Sequence, residues 1–315
     1  MMAVVVGDHL FPVANGAGDQ LVVVHICRKE NGYPAAILRI RQVASIRWWR
    51  LTVKTQKEKA IAFVELHAGE PFIIPNPWDA GSARMLEAFG FKALATTSSG
   101  FAFTLGRLDG QVTLDEVMVH VASITAVTDV PVSVDMENGY GSDPQSAALA
   151  VTRAAEAGAV GGSIEDWDPS GHLYDVDHAA ARIAAAATVA NSLDFPFTLT
   201  ARAENHIRGN PDLEDTIGRL RAYEAAGADV LYAPGLRTAE AIHTLCQAVS
   251  KPVNVLALPG MKMAELANAG AQRVSVGGSL SWVAVDAAAD AARAMHDRGD
   301  FSVLHRSPPL KEWFG

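Results

Sequence analysis

The stretch AEAGAVGGSIED (residues 155–166) decides the fold, because it joins the end of a helix to the start of a buried strand. Its alanine-rich turn ends at Gly158, a residue type that commonly terminates helices, and the short run GGSIED follows. The pattern recurs in EAAGADV (residues 224–230) and in ANAGAQ (residues 267–272). Helices that repeatedly return to a strand predict parallel strands joined by helical crossovers.

Short apolar runs recur eight times after residue 70, separated by segments of helical length. The predicted strands are PFIIPN (71–76), KALATTS (92–98), PVSVDME (131–137), GGSIED (161–166), FTLTAR (197–202), DVLYAP (229–234), PVNVLAL (252–258) and RVSVGG (273–278). The predicted helices are Ala80–Phe89, Leu114–Thr128, Pro144–Ala157, Val176–Asn191, Leu213–Ala226, Thr238–Val249 and Lys262–Ala269. This alternation predicts an α/β protein with a (β/α)8 TIM-barrel fold. An open doubly wound sheet is disfavoured because no G-x-G-x-x-G turn follows the first run.

Composition limits the kinds of partner and compartment. The chain has 315 residues, is 49% hydrophobic, and carries a net charge of −9, which disfavours nucleic acids and anionic membranes as partners. Its two cysteines cannot form a disulfide framework, and we expect a cytoplasmic protein. No apolar run is long enough to span a bilayer.

The first part of the chain differs in character from the rest. Its first fifty residues carry six basic side chains against three acidic ones, and residues 39–54 (RIRQVASIRWWRLTVK) are basic and aromatic. We therefore divide the chain into a poorly specified N-terminal extension, residues 1–54, and a catalytic barrel, residues 55–315. The extension could be a membrane or transit segment, a small ordered unit, or a disordered or artefactual leader, and the last interpretation is favoured.

Polar side chains end three neighbouring strands of the predicted barrel. Alternation along the strands predicts that one face carries Ser133, Asp135, Glu137, Ser163, Glu165, Thr198, Thr200 and Arg202. Three close carboxylates cannot all stay ionised without a partner, and a hard cation such as Mg²⁺ or Mn²⁺ would supply one. The alternative is a layer of carboxylate–arginine ion pairs that only holds the barrel together.

Two glycine-containing turns are weaker candidates for ligand contact. The turn at residues 98–100 (SSG) could present consecutive N–H groups to a carboxylate or phosphate, although Ser-Gly is also common in ordinary loops. The turn at residues 277–279 (GGS) follows the eighth strand, where barrels often bind phosphate, but a purely structural loop is favoured there.

Four motifs together resemble the isocitrate lyase/phosphoenolpyruvate mutase family. They are P-x-x-x-D-x-x-x-G-x-G (131–141), G-x-x-I-E-D (161–166), A-R (201–202) and A-Y-x-x-A-G-A-D (222–229), within a resemblance from about residue 55 to about residue 300. The resemblance implies a Mg²⁺-dependent barrel whose eighth helix is exchanged between subunits, usually in a tetramer built as a dimer of helix-swapped dimers. It also implies cleavage or formation of a C–C or P–C bond beside an α-oxo acid, through an enolate.

The resemblance assigns roles to particular residues of this chain. It implies Asp135 as the direct metal ligand, Glu137 and Glu165 on metal-bound waters, Asp109 beside the metal shell, Ser99, Gly100 and Phe101 around the substrate carboxylate, and Arg202 on the carboxylate and the developing oxyanion.

The loop after the fourth strand departs from the family pattern. The lyases carry a cysteine acid/base there, whereas residues 166–177 read DWDPSGHLYDVD, and Pro234 replaces the glutamate that the lyases carry after strand 6. The chain therefore resembles a cysteine-less branch that decarboxylates or hydrolyses oxaloacetate-like acids, or binds α-keto acids. His172 is a candidate general acid or base, or simply a surface histidine. Residues 204–206 (ENH) could support the carboxylate site or be structural.

We expect a carbon–carbon lyase or decarboxylase acting on a small 2-oxo or 2-hydroxy carboxylic acid. Phosphonate P–C chemistry and a non-catalytic barrel that binds α-keto acids remain alternatives. A Schiff-base aldolase is disfavoured because no lysine stands at a strand end. The apolar C-terminal residues Trp313 and Phe314 are expected to pack on a neighbouring subunit.

Overall fold

The computed structural model describes residues 2–6, 9–13 and 54–314 of the chain. The chain divides into two units, residues 1–52 and residues 53–315. In the first unit, β1 (Met2–Val6) pairs in antiparallel fashion with β2 (His9–Val13). The basic segment of the expected extension lies outside the described residues, so its three interpretations stay open.

The second unit contains an eight-stranded sheet in which every pairing is parallel. Its strands are β3 (Phe72–Ile74), β4 (Leu94–Ala95), β5 (Val132–Asp135), β6 (Gly161–Glu165), β9 (Thr198–Arg202), β10 (Val230–Tyr232), β11 (Val253–Leu256) and β12 (Arg273–Ser275). Between β6 and β9, β7 (Trp167–Asp168) and β8 (His172–Leu173) form a small antiparallel hairpin.

The sheet curls into a nearly closed barrel. Its spatial order is β3-β12-β11-β10-β9-β6-β5-β4, so β3 and β4 are the two edges. The Ala95 N–H donates to Pro75 O (3.1 Å), and Asn76 Nδ2 donates to Thr96 O (3.0 Å), which joins those edges at the C-terminal end. The predicted eight-stranded (β/α)8 barrel is confirmed.

Helices surround the barrel and separate its strands. They are α1 (Gln56–Ala68), α2 (Ala80–Ala88), α3 (Ser98–Thr104), α4 (Leu114–Thr125), α5 (Pro144–Glu156), α6 (Val176–Ser192), α7 (Leu213–Ala225), α8 (Ala239–Ala248), α9 (Met263–Asn268), α10 (Ser279–Arg298) and α11 (Leu310–Phe314). The seven predicted helices are present, with ends that differ by one to three residues. Gly158 follows α5 with φ +89°, which explains why glycine ends this helix.

The first helix, α1, closes the N-terminal end of the barrel. Gln56 Nε2 donates to Ala155 O (2.7 Å) and Ala159 O (2.9 Å), just before β6. At the other end of the helix, Gln272 Nε2, just before β12, donates to Leu66 O (3.1 Å). Within residues 54–314, α1 therefore covers this end of the barrel.

Apolar side chains fill the layer between strands and helices, whereas polar side chains occupy the barrel interior. Val134, Ile164 and Leu199 belong to the main buried cluster, together with the alanine-rich face of α5. Small alanine side chains let this helix approach the sheet closely. The alternate strand positions carry buried polar residues, among them Thr200 and Asn254. Barrel interiors are usually filled by branched apolar residues, so this interior is unusual.

The C-terminal segment returns to the second helix of the barrel, α2. The Trp313 ring lies edge-on to Phe89 (centroids 5.9 Å apart), and the Arg84 guanidinium lies over the Phe314 ring (5.8 Å). Both aromatic residues therefore contact α2 and the residue after it in the same chain. Phe314 stays 45% exposed, and its packing on a neighbouring subunit stays a prediction. Within residues 54–314, no helix is both long and apolar enough to cross a membrane.

Candidate active site

A cavity of about 150 Å³ opens at the C-terminal end of the barrel. Its mouth is formed by residues at or after the C-terminal ends of the strands, including Thr97, Ser98, Ser99, Asp109, Asp135 and Arg202. Gly277 and Gly278, in the turn after β12, also line it. The structure thus brings Asp109, Asp135, Ser99 and Arg202 to one cavity.

Arg202, the last residue of β9, lies at the centre of the charged groups. Its Nη1 is 3.3 Å from Asp135 Oδ1, its Nη2 is 3.3 Å from Glu165 Oε2, and its Nε is 2.7 Å from Glu204 Oε1. Burial opposes the guanidinium charge, but the carboxylates of Glu204, Glu165 and Asp135 outweigh it and raise the pKa of Arg202. Arg202 is therefore a fixed cation at the mouth.

Glu204 connects Arg202 to a second arginine. Its side chain is fully buried, and its Oε2 accepts from Arg208 Nε (3.0 Å) while its Oε1 contacts Arg202. Arg208 Nη2 also lies 3.6 Å from Glu165 Oε1, and its guanidinium stacks over the Trp167 ring (4.6 Å). Glu165 is thus held between two arginines and does not line the cavity.

Asp135, Glu137 and Asp109 form an acidic group on the other side of Arg202. Asp135 Oδ2 accepts from the Ser98 N–H (3.3 Å), and its Oδ1 accepts from the Glu137 N–H (3.3 Å). Burial, and then the charges of Asp135 and Asp109, raise the pKa of Glu137 to about 8. Burial likewise raises the pKa of Asp109. The ionised form of Glu137 is therefore unfavourable here unless a cation binds nearby.

The loop after β5 holds Glu137 in an unusual backbone conformation. Glu137 has φ +47° and Tyr140 has φ +60°, in the left-handed region that non-glycine residues rarely occupy. Gly139 approaches α5 so closely that an added Cβ would lie 3.0 Å from Ala147 Cα. Strained backbone of this kind concentrates at functional sites.

Arg182 on α6 fixes this loop from below, and sequence reasoning missed it. The side chain is only 1% exposed; its Nη1 donates to Glu165 O (3.2 Å), and its Nη2 donates to Gly141 O (2.9 Å) and to Asn138 O. It also lies over the Tyr174 ring (4.5 Å). The signal in the sequence was a lone arginine in the alanine-rich run at residues 179–187 (AAARIAAAA).

The donor chemistry of the acidic group fits a hard divalent cation. Within residues 54–314, no group of three or more His, Cys, Asp or Glu side chains has the arrangement of a ready-made metal site. However, Glu137 Oε1 is buried without a hydrogen-bond partner, beside Asp135. Mg²⁺ prefers oxygen ligands such as carboxylates, and a bound cation would supply the counter-charge that these carboxylates lack. Glu137 itself does not line the cavity. It would therefore act on a bound ion through an intervening water molecule, or indirectly through the neighbouring Asp135.

The expected substrate loop is the first turn of a helix, and not the open turn expected from its sequence. Thr97 caps α3 by accepting from the Gly100 N–H (3.3 Å), and the Phe101 N–H donates to Thr97 O (3.1 Å). Ser99 lines the cavity, whereas Phe101 stacks on His120 (3.9 Å between centroids). Gly100 is packed tightly enough that an added Cβ would lie 2.7 Å from Thr97 Cγ2.

Two histidines suggested by the sequence lie elsewhere. His172 is exposed on β8, with its Nδ1 3.1 Å from Ser170 Oγ, and it does not line the cavity. His206 is half-buried against Gly235, and its Nε2 has no hydrogen-bond partner. Within residues 54–314, neither histidine forms a hydrogen bond or an ion pair with Arg202.

The structure is a nearly closed parallel barrel with an arginine among carboxylates at its C-terminal mouth. This arrangement is typical of barrel enzymes that bind anionic substrates. Sequence comparison makes this class specific. The family model described as phosphoenolpyruvate phosphomutase matches residues 63–296, and the chain belongs to that family, within the phosphoenolpyruvate mutase/isocitrate lyase superfamily.

Similar proteins include lyases and a decarboxylase. An uncharacterized protein of Mycobacterium tuberculosis is 35% identical, over 78% of this chain and 92% of its own length. The 2-methylisocitrate lyase of Halalkalibacterium halodurans is 31% identical (70% and 76% covered), and the oxaloacetate decarboxylase of Paraburkholderia xenovorans is 34% identical (58% and 62%).

Solved structures extend these similarities. A lyase/mutase candidate from Burkholderia cenocepacia J2315 is 47% identical, with a TM-score of 0.80 and 82% and 97% of the two chains covered. The structure of 2,3-dimethylmalate lyase is 25% identical, with a TM-score of 0.73 and 82% and 95% covered.

Proposed function

We propose that the chain is a Mg²⁺-dependent lyase or decarboxylase that cleaves a C–C bond beside a 2-oxo or 2-hydroxy acid through an enolate. The observation that supports the proposal is Arg202, held among Asp135, Glu165 and Glu204 at the mouth of the cavity. The names of two relatives, an oxaloacetate decarboxylase and a 2-methylisocitrate lyase, agree with it.

Arg202 would stabilise the charge that develops during bond cleavage. Three of its five N–H groups contact carboxylates, which leaves one on each Nη for a substrate oxygen. As the C–C bond breaks, its electron pair passes into an enolate, and Arg202 donates to the oxygen that becomes negative. Asp135 would hold Mg²⁺, with Glu137 and Glu165 on metal-bound waters, and the bound ion would supply Lewis-acid stabilisation of negative charge.

The cavity contains few groups that could transfer protons, and this favours decarboxylation. No histidine, cysteine or lysine of residues 54–314 lines it. A retro-aldol cleavage needs a base to remove a hydroxyl proton, whereas a 2-oxo acid with a 3-carboxylate loses carbon dioxide directly. Water could then protonate the enolate carbon. The same observation supports the second candidate, a barrel that binds α-keto acids without turning them over.

A substrate panel tests the proposal. Oxaloacetate, 2-methylisocitrate, 2,3-dimethylmalate and phosphonopyruvate would be assayed with Mg²⁺, with EDTA, and after Mg²⁺ is restored. We expect turnover of a carboxylic acid that EDTA lowers by at least about 100-fold and Mg²⁺ restores, because charge stabilisation by a metal contributes several kcal/mol. Turnover indifferent to EDTA would contradict the proposal. Turnover of phosphonopyruvate alone would favour P–C chemistry, and tight oxalate binding without turnover would favour the binding protein.

We also propose that α10 is exchanged between subunits of a homotetramer. Only Ser281 and Ala294 of its twenty residues are buried, while Trp282 is 40% exposed and Val283 is 67% exposed. Exposed apolar side chains of this kind are expected to be covered by another subunit. Light scattering should therefore give the mass of an oligomer, and a monomer at micromolar concentration would contradict the exchange. A cytoplasmic location is proposed with it, and recovery in a membrane or secreted fraction would contradict that.

A further inference from the structure

A second arginine, Arg273, lies deeper in the same cavity. It is the first residue of β12, it is 4% exposed, and it lines the cavity whose mouth holds Arg202. Its Nη2 donates to Thr200 Oγ1 (2.9 Å). Thr200 precedes Arg202 by two residues on β9, so it faces the same interior roughly 7 Å lower along the strand. The guanidinium groups of Arg202 and Arg273 therefore lie at different depths of one cavity.

The hydrogen-bond partners of Arg273 are neutral. Its Nε donates to Asn254 Oδ1 (2.8 Å), and its Nη1 lies 3.2 Å from His67 Nε2. His67 Nδ1 bonds to Phe63 O (2.8 Å), which leaves Nε2 as the acceptor. Burial, and then the charge of Arg273, lower the pKa of His67 to about 3, so this ring is neutral at physiological pH. None of these partners offsets the positive charge.

Arg273 therefore differs from Arg202 in its electrostatic surroundings. Arg202 contacts three carboxylates, whereas Arg273 forms no ion pair with an Asp or Glu of residues 54–314. Burial lowers the pKa of Arg273 to about 10, which still leaves it charged at neutral pH. A buried charge without a counter-charge is unfavourable unless a ligand supplies one. Three of its five N–H groups are used, so two remain.

The remainder of the cavity suits a polar ligand of limited size. Ser133, Ser163 and Ser275 line it between the two arginines, and Ser275 Oγ accepts from Asn254 Nδ2 (2.9 Å). A volume of about 150 Å³ has room for on the order of ten water-sized groups. A four-carbon dicarboxylate has a similar number of non-hydrogen atoms.

We propose that Arg273 binds a second anionic group of the substrate, so that the enzyme selects small dianions with one carboxylate at Arg202 and the other at the cavity floor. This inference rests on the proposed function, because it assumes that the first carboxylate binds at the mouth. The competing interpretation is that Arg273 only links β12 to α1 through His67. The two interpretations differ in what they predict for ligand selectivity.

The test is calorimetric binding of two matched ligands to the full chain in Mg²⁺. Malate and 2-hydroxybutyrate differ only in that a distal carboxylate replaces a methyl group, and oxalate serves as a ligand for the mouth alone. Wild type should bind malate about 10- to 150-fold more tightly than 2-hydroxybutyrate, the range for hydrogen bonds to a charged group. In Arg273→Met the preference should fall below about 3-fold, with Arg273→Lys intermediate. Arg237→Met, at an exposed arginine, is the matched control.

Each outcome decides the inference. If Arg273→Met weakens malate and 2-hydroxybutyrate equally, the residue is structural and the inference is wrong. If wild type binds oxalate but shows no preference for malate, the inference fails while the proposed function stands. If oxalate does not bind wild type, the proposed function fails and the inference fails with it. Should Arg273→Met not fold by thermal melting, wild type and Arg273→Lys still give the selectivity that decides it.

Discussion

Replacing Asp135 by alanine should lower kcat/KM by about 1,000-fold or more and leave the barrel folded. The carboxylate of Asp135 joins Arg202 Nη1, the Ser98 N–H and the Glu137 N–H, so its loss removes the proposed metal ligand and the contact that orients Arg202. Losses of this size follow removal of groups that stabilise developing charge. Steady-state kinetics on the substrate found by the panel would measure the effect, and the melting temperature would report the fold.

The matched control for this change is Asp115→Ala. Asp115 is 78% exposed on α4, and its one ion-pair partner within residues 54–314 is Arg153, so its removal should leave kcat/KM within about 2-fold of wild type. If Asp135→Ala instead retained more than a tenth of wild-type kcat/KM, Asp135 would not be the metal ligand, and the assignment of the acidic group would have to be abandoned.

Replacing Arg182 by methionine should lower the free energy of unfolding by about 3 kcal/mol. The change removes the guanidinium donors to Glu165 O, Gly141 O and Asn138 O. These three carbonyl oxygens then lose the hydrogen bonds that Arg182 makes to them. Unsatisfied buried polar groups cost about 1–3 kcal/mol each, partly offset by relaxation. Urea denaturation followed by circular dichroism would measure it.

Arg153→Met is the control for Arg182→Met, because it makes the same substitution at an arginine that is not buried. Arg153 makes exposed ion pairs with Asp115 and Glu156, and its loss should change stability by less than about 1 kcal/mol. A loss below 1 kcal/mol in Arg182→Met as well would show that the loop after β5 does not depend on this side chain.

The fold could be predicted from the sequence because its signals are local. Each strand and the helix after it lie within about forty residues, and glycines such as Gly158 mark the ends of the helices. The positions of Asp135 and Arg202 at the mouth follow from two rules, the alternation of side chains along a strand and the location of barrel sites. Both residues line the cavity.

The contacts between distant strands could not be predicted in the same way. Arg273 reaches Thr200 across two intervening strands, and this depends on the tilt with which the barrel closes. The proposed role of Glu165 on metal-bound water stays a prediction. Its ion pairs with Arg202 and Arg208 could not be predicted, because Arg208 lies on a short 3₁₀ helix that its sequence does not signal. His172 was a candidate acid or base because it lies in the loop where the lyases carry their cysteine. The hairpin of β7 and β8 exposes this side chain to solvent.

The left-handed backbone of Glu137 has a consequence for how this protein can change. Glycine or asparagine would occupy φ +47° with less strain, since a side chain there costs on the order of 1 kcal/mol. Selection for stability alone would thus favour loss of this carboxylate, whereas its proposed role in the metal shell would favour keeping it. If that role is correct, stability and activity place opposite demands on position 137, and variants selected for thermostability should be sequenced there first.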